Sequence, residues 1–521
     1  MQKELQIKCP VDRIDDQDFI KNELLKKLSL TKNASLNFKL IKKSIDSRKY
    51  PPVFILRYAV NKKERVITDS EKLSFNYGVS KTGKKVAIIG AGPAGYFAAL
   101  ECLEYGLTPI VVERGKDVRA RRRDLRAIQQ EGIVNPHSNY CFGEGGAGTY
   151  SDGKLYTRSK KRGKIIKTLR ILVDHGAKED ILTDAHPHIG SNKLPGIISN
   201  IRNTIESNGG RVMFDSHVTD FEFDGGSCRA LIINNENRME ADNYILATGH
   251  SARDIFALLD KHDILLEAKP YALGVRIEHP QELIDEIQYG QNPRHPNLPA
   301  SSYSLVCQIG GKGVFSFCMC PGGLIVPAAT APGEIVVNGM SLSRRDSKFA
   351  NSGLVTELST EELNAKGYMG KFGNLAFQQE VEQSLFQNGD GSQKAPAQNL
   401  IDFINGKMML ELNESSYIPG LYKAPLHELL PDFVYIRLRD GLLNFSMRLK
   451  GFHTDAAHVV ATESRTSSPV RIPRDKMTCL HPQLDNFYPC GEGAGYAGGI
   501  LSAAMDGQRV VKCIASQYHH Q

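Results

Sequence analysis

The chain has 521 residues, of which 41% are hydrophobic, and a formal net charge of +7. This length is too great for one hydrophobic core, so we expect two or three domains. The sequence contains no stretch apolar enough for a transmembrane helix and no apolar signal-peptide core, so we expect a cytoplasmic protein without a membrane span. Ten scattered cysteines then predict free thiols rather than a disulfide framework.

Residues 1–80 are predicted to form a small basic module. They hold 17 Lys and Arg against 10 Asp and Glu, which accounts for the net charge of the whole chain. A short strand, a helix over 15–28 and two further strands predict a β-α-β-β order. The charge is typical of a surface for an acidic partner or nucleic acid, and equally of a solvated small domain. We favour the solvated surface because no aromatic-rich nucleic-acid motif accompanies the charge.

The next region opens with a glycine-rich turn between a predicted strand and a predicted helix. The apolar run from Lys85 leads into Gly90-Ala-Gly-Pro-Ala-Gly95, and a second apolar run ends at Glu113. In this pattern glycines permit a tight turn, approach to a pyrophosphate and close helix packing, while the acid binds a ribose diol. The sequence therefore predicts a dinucleotide site. Arg114 opens a basic run that indicates either a phosphate contact or a solvated helix start. The predicted contacts in this segment are Gly90, Gly92, Pro93, Ala94, Gly95, Glu113 and Arg114.

Two later segments are predicted to approach the same ligand. Residues 141–154 contain a second formal GxGxxG, but no apolar strand precedes it. We interpret it as a loop whose backbone passes close to a flat or phosphorylated ligand, with Gly145 and Gly146 as contacts. A strand is then predicted from Arg211 to Asp220. Another predicted strand ends in Ala247-Thr248-Gly249, which brings bare backbone beside a bound dinucleotide.

Residues 271–477 are predicted to be a β-rich substrate domain inserted into the dinucleotide domain, with one helical stretch over 374–387. Cys318 and Cys320 lie between an aromatic strand and a Pro-Gly-Gly turn. They indicate either a thiol that attacks a substrate or exchanges with a disulfide, or two small buried residues beside the ligand. We favour the second because cysteines two residues apart on a regular strand bridge poorly.

Two further catalytic candidates lie in this region. Arg465 belongs to a polar cluster over 463–474, which indicates either a clamp for a substrate carboxylate or phosphate or a salt-bridged interdomain loop. Lys450, near His453, is a candidate proton donor. His186 and His188 have a spacing that metals use, but no further ligands are evident, so we predict no metal site.

The chain returns to the dinucleotide domain with Gly491-Glu-Gly-Ala-Gly and a small-residue helix. Together with the glycine turn, its acid and the Ala-Thr-Gly strand end, this order resembles the superfamily of two-domain FAD proteins of the glutathione-reductase and hydroxylase type. The resemblance implies FAD as cofactor and an adenine contact at Val218. It also implies contacts to the flavin and its ribityl or phosphate region at Gly491, Glu492, Gly498, Gly499 and Ile500.

A closer resemblance covers nearly the whole chain. The stretches Phe142-Gly-Glu-Gly-Gly-Ala-Gly-Thr, Phe317-Cys-Met-Cys-Pro-Gly-Gly and Glu463-Ser-Arg-Thr-Ser-Ser-Pro-Val-Arg are similar to the bacterial family of uncharacterized FAD-dependent dehydrogenases. The implied fold is α/β: a Rossmann-like FAD-binding domain with an inserted β-rich substrate domain and a small N-terminal α+β module. The expected domains are 1–80, 84–270, 271–477 and the C-terminal return 478–521.

We therefore predict an FAD-dependent oxidoreductase that transfers hydride through flavin N5, with an unknown small-molecule substrate. Only one true Rossmann fingerprint is present, so NAD(P)H is expected at most as a transient electron donor. Two alternatives stay open. One is a flavoprotein that modifies nucleic acid or protein and holds its target with the basic N-terminal module; the other is a non-catalytic flavin-binding protein. The sequence does not specify the oligomeric state.

Overall fold

The computed structural model describes residues 2–78, 82–156 and 164–519. The predicted domain limits at residues 1, 80 and 521, and the first residues of a helix predicted over 162–176, lie outside these ranges. The strands are β1 (Lys3–Pro10), β2 (Asn37–Asp46), β3 (Val53–Asn61), β4 (Lys85–Ile89), β5 (Thr108–Val112), β6 (Arg211–Met213), β7 (Val218–Asp224), β8 (Ser227–Ile233), β9 (Asn237–Met239), β10 (Asn243–Leu246), β11 (Glu267–Ala268), β12 (Tyr271–Pro280), β13 (Val306–Ile309), β14 (Lys312–Cys320), β15 (Gly323–Pro327), β16 (Val337–Ser341), β17 (Phe349–Leu358), β18 (Ala395–Asn399), β19 (Leu421–Lys423), β20 (His458–Glu463), β21 (Val470–Arg471) and β22 (Phe487–Pro489). The helices are α1 (Gln17–Lys27), α2 (Pro93–Glu104), α3 (Val118–Gln130), α4 (Ile165–Asp174), α5 (Leu194–Ser207), α6 (Arg253–Lys261), α7 (Gln281–Tyr289), α8 (Thr360–Asn364), α9 (Gly373–Gln387), α10 (Leu400–Asn405), α11 (Leu426–Leu429), α12 (Asp432–Arg448) and α13 (Ile500–His519). None of the helices in these described ranges has the length and hydropathy needed to cross a membrane.

The N-terminal module is an antiparallel sheet in the order β1-β3-β2 with α1 packed against it. Asp16 begins α1, since its side chain accepts a hydrogen bond from the backbone N–H of Phe19. The predicted β-α-β-β order is present. The module is not isolated, because Tyr289 and Leu298 from the later region complete its hydrophobic core. Lys43 also exchanges backbone hydrogen bonds with residues 183 and 185.

Five parallel strands in the order β22-β10-β4-β5-β6 form the central sheet. Alternate residues of β4 pack on opposite faces: Val86 and Ile88 join the core with α2 and α13, and Ala87 and Ile89 join the core with β7 and α6. Burial on both faces explains the unbroken apolar run of this strand. The α/β fold with a Rossmann-like domain is thus confirmed.

The strand predicted over 211–220 is wrong as a single element. The chain leaves the parallel sheet after Met213 and enters the antiparallel β7-β8-β9 sheet at Val218. Between them Asp215 has a left-handed backbone with φ +49°. That conformation interrupts the regular extended backbone of a strand.

Residues 271–463 contain a seven-stranded sheet in the order β13-β14-β17-β12-β20-β18-β19, antiparallel except for the last pair. The helix predicted over 374–387 is present as α9, and α12, a second long helix, was not predicted. Gly441 weakens the helical pattern of α12, yet it lets the helix approach β14: a Cβ there would lie 2.5 Å from Val314 Cγ1. Both helices pack on the core of this sheet.

Candidate functional site

A deep cavity of about 380 Å³ opens at the carboxyl ends of the parallel strands. The sheet order places β4 between β5 and β10, so the connections diverge where these strands end. Ligands of open α/β sheets bind at such switch points. The cavity extends from Glu113 and Val218 to Phe317 and Cys318 of the seven-stranded sheet. Its volume lies in the range of about 300–1,000 Å³ that is typical of ligand sites.

The predicted glycine turn forms one wall of this cavity. Gly90 has φ +108°, and a Cβ there would lie 2.5 Å from the carbonyl oxygen of Ala247. A Cβ at Gly95 would lie 1.9 Å from the carbonyl oxygen of Gly90, so Gly95 packs the helix on the turn and does not line the cavity. Gly92, Pro93 and Ala94 do line it. No side chain caps α2, which leaves its first backbone N–H groups for an anionic ligand.

Glu113 receives more hydrogen bonds from the protein than the sequence indicated. Oε2 accepts from the backbone N–H of Ala91 at 2.9 Å, and Oε1 accepts from Gly115 at 2.9 Å and Gly143 at 3.0 Å. A carboxylate offers about four acceptor positions. One position is therefore left for a ribose hydroxyl, rather than the two that a diol would take.

The basic run after Glu113 makes protein contacts. Arg114 lines the cavity, but its guanidinium is paired with Asp254 at 2.9 Å and stacks over Phe142. Arg121 is fully buried in α3 and donates to carbonyl oxygens of the second glycine loop, among them Glu144 at 2.8 Å and Gly146 at 3.0 Å. The loop is thus held by a buried cation.

That second loop reaches the cavity through Gly146 and not through Gly145. Gly146 has φ +61°, and a Cβ there would lie 3.1 Å from Gly92 Cα. Gly145 does not line the cavity; its N–H donates to Ala91 at 2.9 Å, and a side chain there would collide with Thr149. Gly145 therefore positions the loop against the first glycine turn.

The strand end after β10 and the position Val218 both lie in the cavity wall. Gly249 has φ +75°, with nothing within 4 Å of a Cβ placed there. Thr248 Oγ1 is buried and has no hydrogen-bond partner among the described residues. Ala247 joins this strand end to β4, since its N–H donates to Ile89 at 2.8 Å.

The C-terminal return closes the cavity through Glu492, Gly498, Gly499 and Ile500. Burial raises the pKa of Glu492 to about 8 against the opposing charge of Lys269. Space is open where side chains at Gly498 and Gly499 would stand. Gly491 does not line the cavity; its N–H donates to Asp506 at 2.8 Å.

These features fit FAD. Open space beside bare glycine backbone at Gly249, Gly498 and Gly499 admits a flat ligand, and the orphaned Thr248 hydroxyl offers it a hydrogen bond. The free helix start at Gly92 suits a pyrophosphate. The residues near Glu113 would hold the adenosine half, and those near Ile500 the flavin half.

The far end of the cavity is lined by ionisable side chains. Cys318 is exposed to it, beside Phe317 and Lys154. Lys154 Nζ lies 4.0 Å from the Sγ atoms of both Cys318 and Cys320, and donates to the carbonyl oxygen of Met319. Burial alone would lower the pKa of Lys154, but the two sulfurs raise it above its usual value. The prediction of two buried cysteines is therefore wrong for Cys318 and holds for Cys320, which is 0% exposed.

The other two catalytic candidates have different surroundings. Arg465 lines the cavity but is paired with Glu334 at 2.7 Å and Glu382 at 3.0 Å. Arg253 of α6 pairs with the same two carboxylates, so this buried salt-bridged cluster connects the two regions. Lys450 is exposed after α12 and does not line the cavity, so its assignment to this site is corrected. Within the described residues no cluster of His, Cys, Asp or Glu suits a metal ion.

Three residues at this site were not predicted: Lys154, Arg276 and Arg121. Arg276 is buried in β12, forms an ion pair with Glu463 and donates to the carbonyl oxygen of Cys318 at 2.8 Å. A charged residue within the apolar run of β12 was the available signal for Arg276. For Lys154 the signal was its place in the glycine-rich loop segment.

Three family models match the chain. The model "Pyridine nucleotide-disulphide oxidoreductase" matches residues 84–264, and "FAD-dependent protein, C-terminal domain-like" matches residues 270–466. A domain of unknown function matches residues 1–61.

A relative is similar to this chain over nearly its full length. An uncharacterized protein of Clostridium beijerinckii is 38% identical over 523 residues, which cover 97% of each chain. A solved flavin-dependent brominase is 12% identical, with 84% of this chain and 80% of that chain covered and a TM-score of 0.35. A geranylgeranyl bacteriochlorophyll reductase-like protein of Thermoplasma acidophilum is 14% identical, with 84% and 79% covered and a TM-score of 0.33. With TM-scores below 0.5, neither structure bears on what this chain does. The chain belongs to the same family as the Clostridium protein, a family of FAD-dependent proteins with a pyridine nucleotide-disulphide oxidoreductase-type domain and an FAD-dependent C-terminal domain.

Proposed function

We propose that the protein is an FAD-dependent oxidoreductase that transfers hydride through flavin N5 to or from a small substrate. The observation that carries the proposal is one continuous cavity with two kinds of wall. Backbone and glycines surround the end near Glu113, and Lys154 and Cys318 line the end between the two sheets. A dinucleotide held at the first end extends toward ionisable groups at the second.

FAD supplies reversible two-electron chemistry when it is bound. The chain supplies the environment for it. The N-terminus of α13 reaches the cavity at Ile500, and its positive end stabilises negative charge there. The Lys154 ammonium adds a second positive charge on the wall beside Cys318. Glu334 and Glu382 pair with Arg465 and also with Arg253 of α6, which ties the inserted region to the FAD-binding region beside the cavity.

Anaerobic mixing of the FAD-loaded protein with NADH and with NADPH tests this proposal. Rapid bleaching of the flavin band by either nucleotide is expected, followed by reoxidation when a substrate acceptor is added. Dithionite reduction serves as the control for a reducible flavin. Bleaching by dithionite but by neither nucleotide would contradict NAD(P)H as donor. A reduced flavin that no acceptor reoxidises, oxygen included, would favour the non-catalytic alternative.

The alternative of a macromolecular target stays a prediction, as does the cytoplasmic location. Removal of residues 1–80 is a poor test of that alternative, because it would expose Tyr289 and Leu298. Reversing the charge of exposed lysines in the module, such as Lys62 and Lys63, leaves its core intact and is the better test.

A further inference from the structure

Strand β14 contains a bulge at its two cysteines. Phe317 pairs with Gly353 and Cys320 pairs with Asn351, so three steps along β14 match two steps along β17. Cys318 within the bulge has φ +47°. In a regular strand, Cα atoms two residues apart are separated by about 6.6 Å, near the upper limit for a disulfide. The bulge takes up the extra residue and bends the strand at the two cysteines. Their side chains are close enough to form a hydrogen bond with each other.

The two sulfurs share one electrostatic environment. Lys154 Nζ is 4.0 Å from each of them, and Arg276 Nη2 is 3.7 Å from Cys320 Sγ. Two carboxylates that interact electrostatically with Cys318 are already paired, Glu463 with Arg276 and Asp152 with Arg345. A hydrogen bond from Cys320, with the charges of Lys154 and Arg276, lowers the pKa of Cys318. The same hydrogen bond and burial raise the pKa of Cys320. These shifts favour the thiolate at Cys318 and the thiol at Cys320.

The two thiols differ in access. Cys318 is exposed on the cavity wall, at the end that the flavin half of the cofactor would approach. Cys320 is fully buried behind it, and its Sγ lies 3.2 Å from the carbonyl oxygen of Cys318. An accessible thiolate with a buried partner thiol is the arrangement that thiol–disulfide exchange requires.

The geometry points to Cys318 and Cys320 as a redox-active dithiol that exchanges two electrons with the flavin at this end of the cavity. Oxidation of the pair breaks the S–H bond of Cys320, forms one S–S bond, and passes two electrons and that one proton to oxidised flavin, which becomes anionic reduced flavin; the reverse reaction restores the thiolate and the thiol. The inference rests on the proposed function, because the flavin must be reducible in this cavity. The external reactants are then dithiols and disulfides. An external dithiol attacks Cys318 of the oxidised pair, and the Cys318 thiolate of the reduced pair attacks an external disulfide.

The protein contains a second close cysteine pair, which could also form a disulfide and take up two electrons. One of its cysteines must therefore be replaced before the dithiol at Cys318 and Cys320 is tested. Cys479 Sγ and Cys513 Sγ lie 3.4 Å apart, and neither residue lines the cavity. The parent protein for the test is therefore the full-length, FAD-loaded Cys513→Ser variant. Cys318→Ser and Cys320→Ser are added to it singly, and Cys307→Ala, a buried cysteine of β13 away from the cavity, is the matched control.

The experiment counts electrons. Each protein is oxidised with diamide, desalted, and titrated anaerobically with dithionite. The parent and the Cys307→Ala control are expected to take up about four electrons per flavin, and the Cys318→Ser and Cys320→Ser variants about two. Alkylation and mass spectrometry of the oxidised parent should find the 318–320 peptide blocked, and this readout requires neither Cys318→Ser nor Cys320→Ser to fold. An uptake of about two electrons by the parent, with both cysteines alkylated, would overturn the inference. A flavin that dithionite does not reduce would instead contradict the proposed function.

Dithiothreitol as the only electron donor tests the external reactant. We expect it to bleach the flavin of the oxidised parent, and to do so at least ~10-fold more slowly in each cysteine variant. Equal rates in all proteins would contradict the route through this dithiol.

Discussion

The two ends of the cavity are built from different parts of the chain. Near Glu113 the wall is backbone, and its shape depends on glycines whose missing side chains admit the ligand. Near Cys318 the wall is made of side chains on the bulged strand β14. Lys154, from a loop far away in the sequence, contacts the cysteines of this strand. The first end is determined locally by spacing along the sequence. The second exists only when two sheets meet, which is why substitutions there should change chemistry more than stability.

Arg121→Ala should give the largest effect at the backbone-built end. It would leave buried carbonyl oxygens of the second glycine loop without donors, at a cost of about 4 kcal/mol in the free energy of unfolding. Arg123→Ala on the exposed face of the same helix should change it by no more than about 0.5 kcal/mol. Denaturant unfolding of both variants measures the difference. Equal stabilities would show that Arg121 does not hold the loop.

Gly95→Ala follows, because its Cβ would lie 1.9 Å from the carbonyl oxygen of Gly90. We expect a loss of about 3 kcal/mol in stability and of FAD retention. Gly196 is the matched control, since it also stands third in a helix after a proline but has nothing within 4 Å of a Cβ. Gly196→Ala should stabilise the protein by about 0.5 kcal/mol. Similar thermal unfolding of both variants would contradict the close approach at Gly95.

Glu113→Gln should weaken FAD binding by about 2 kcal/mol, or roughly 30-fold. The amide keeps one acceptor oxygen but turns an NH₂ group toward backbone N–H donors. Glu131→Gln, at an exposed position after α3, should leave the FAD affinity unchanged. Fluorescence titration with FAD compares the affinities of the two variants. Equal affinities would show that Glu113 does not contribute to FAD binding.

Lys154→Met tests the side-chain-built end. Without the ammonium the pKa of Cys318 rises, so its thiolate fraction at neutral pH falls. Alkylation of Cys318 by iodoacetamide at pH 7 should slow by roughly tenfold, and the rate should recover at higher pH. Lys164→Met, outside the cavity, is the control. An unchanged rate profile would mean that Lys154 does not stabilise the thiolate.

Glu492→Gln should have the smallest effect, visible only as a pH dependence. The folded protein raises the pKa of Glu492 to about 8, so it holds a proton that the unfolded chain releases near its ordinary pKa of 4.5. Wild-type stability therefore falls as pH rises between these values. Glutamine does not ionise, so the variant's advantage in Tm should grow from about pH 5 to about pH 8 and then level off. Thermal melts of the apoprotein across this range measure it, and a constant difference would contradict a buried, protonated Glu492.

The sequence predicted the backbone-built end in most details. Gly90, Gly92, Glu113 and Gly249 lie at the cavity or shape it, because local spacing alone sets a strand–turn–helix unit. It did not predict that Glu113 would be occupied by three backbone donors, since Gly143 comes from a loop 30 residues later. This contact depends on tertiary packing.

The side-chain-built end was harder to predict from the sequence. Cys318 and Cys320 were noted, but regular alternation placed both on one strand face, and only the bulge against β17 exposes one and buries the other. Lys154 is 164 residues from Cys318 along the chain, a distance over which spacing carries no information. Lys450 was a candidate proton donor because a lysine can donate a proton. It lies outside the cavity, since it is exposed at the surface after the end of α12.

The visible absorption spectrum of the purified protein, taken after saturation with FAD and removal of the free cofactor, tests the central claim most directly. A cavity built for FAD should retain about one flavin per chain, with the absorption band of bound oxidised flavin. A folded protein that retains no flavin after this treatment would contradict the account of the cavity.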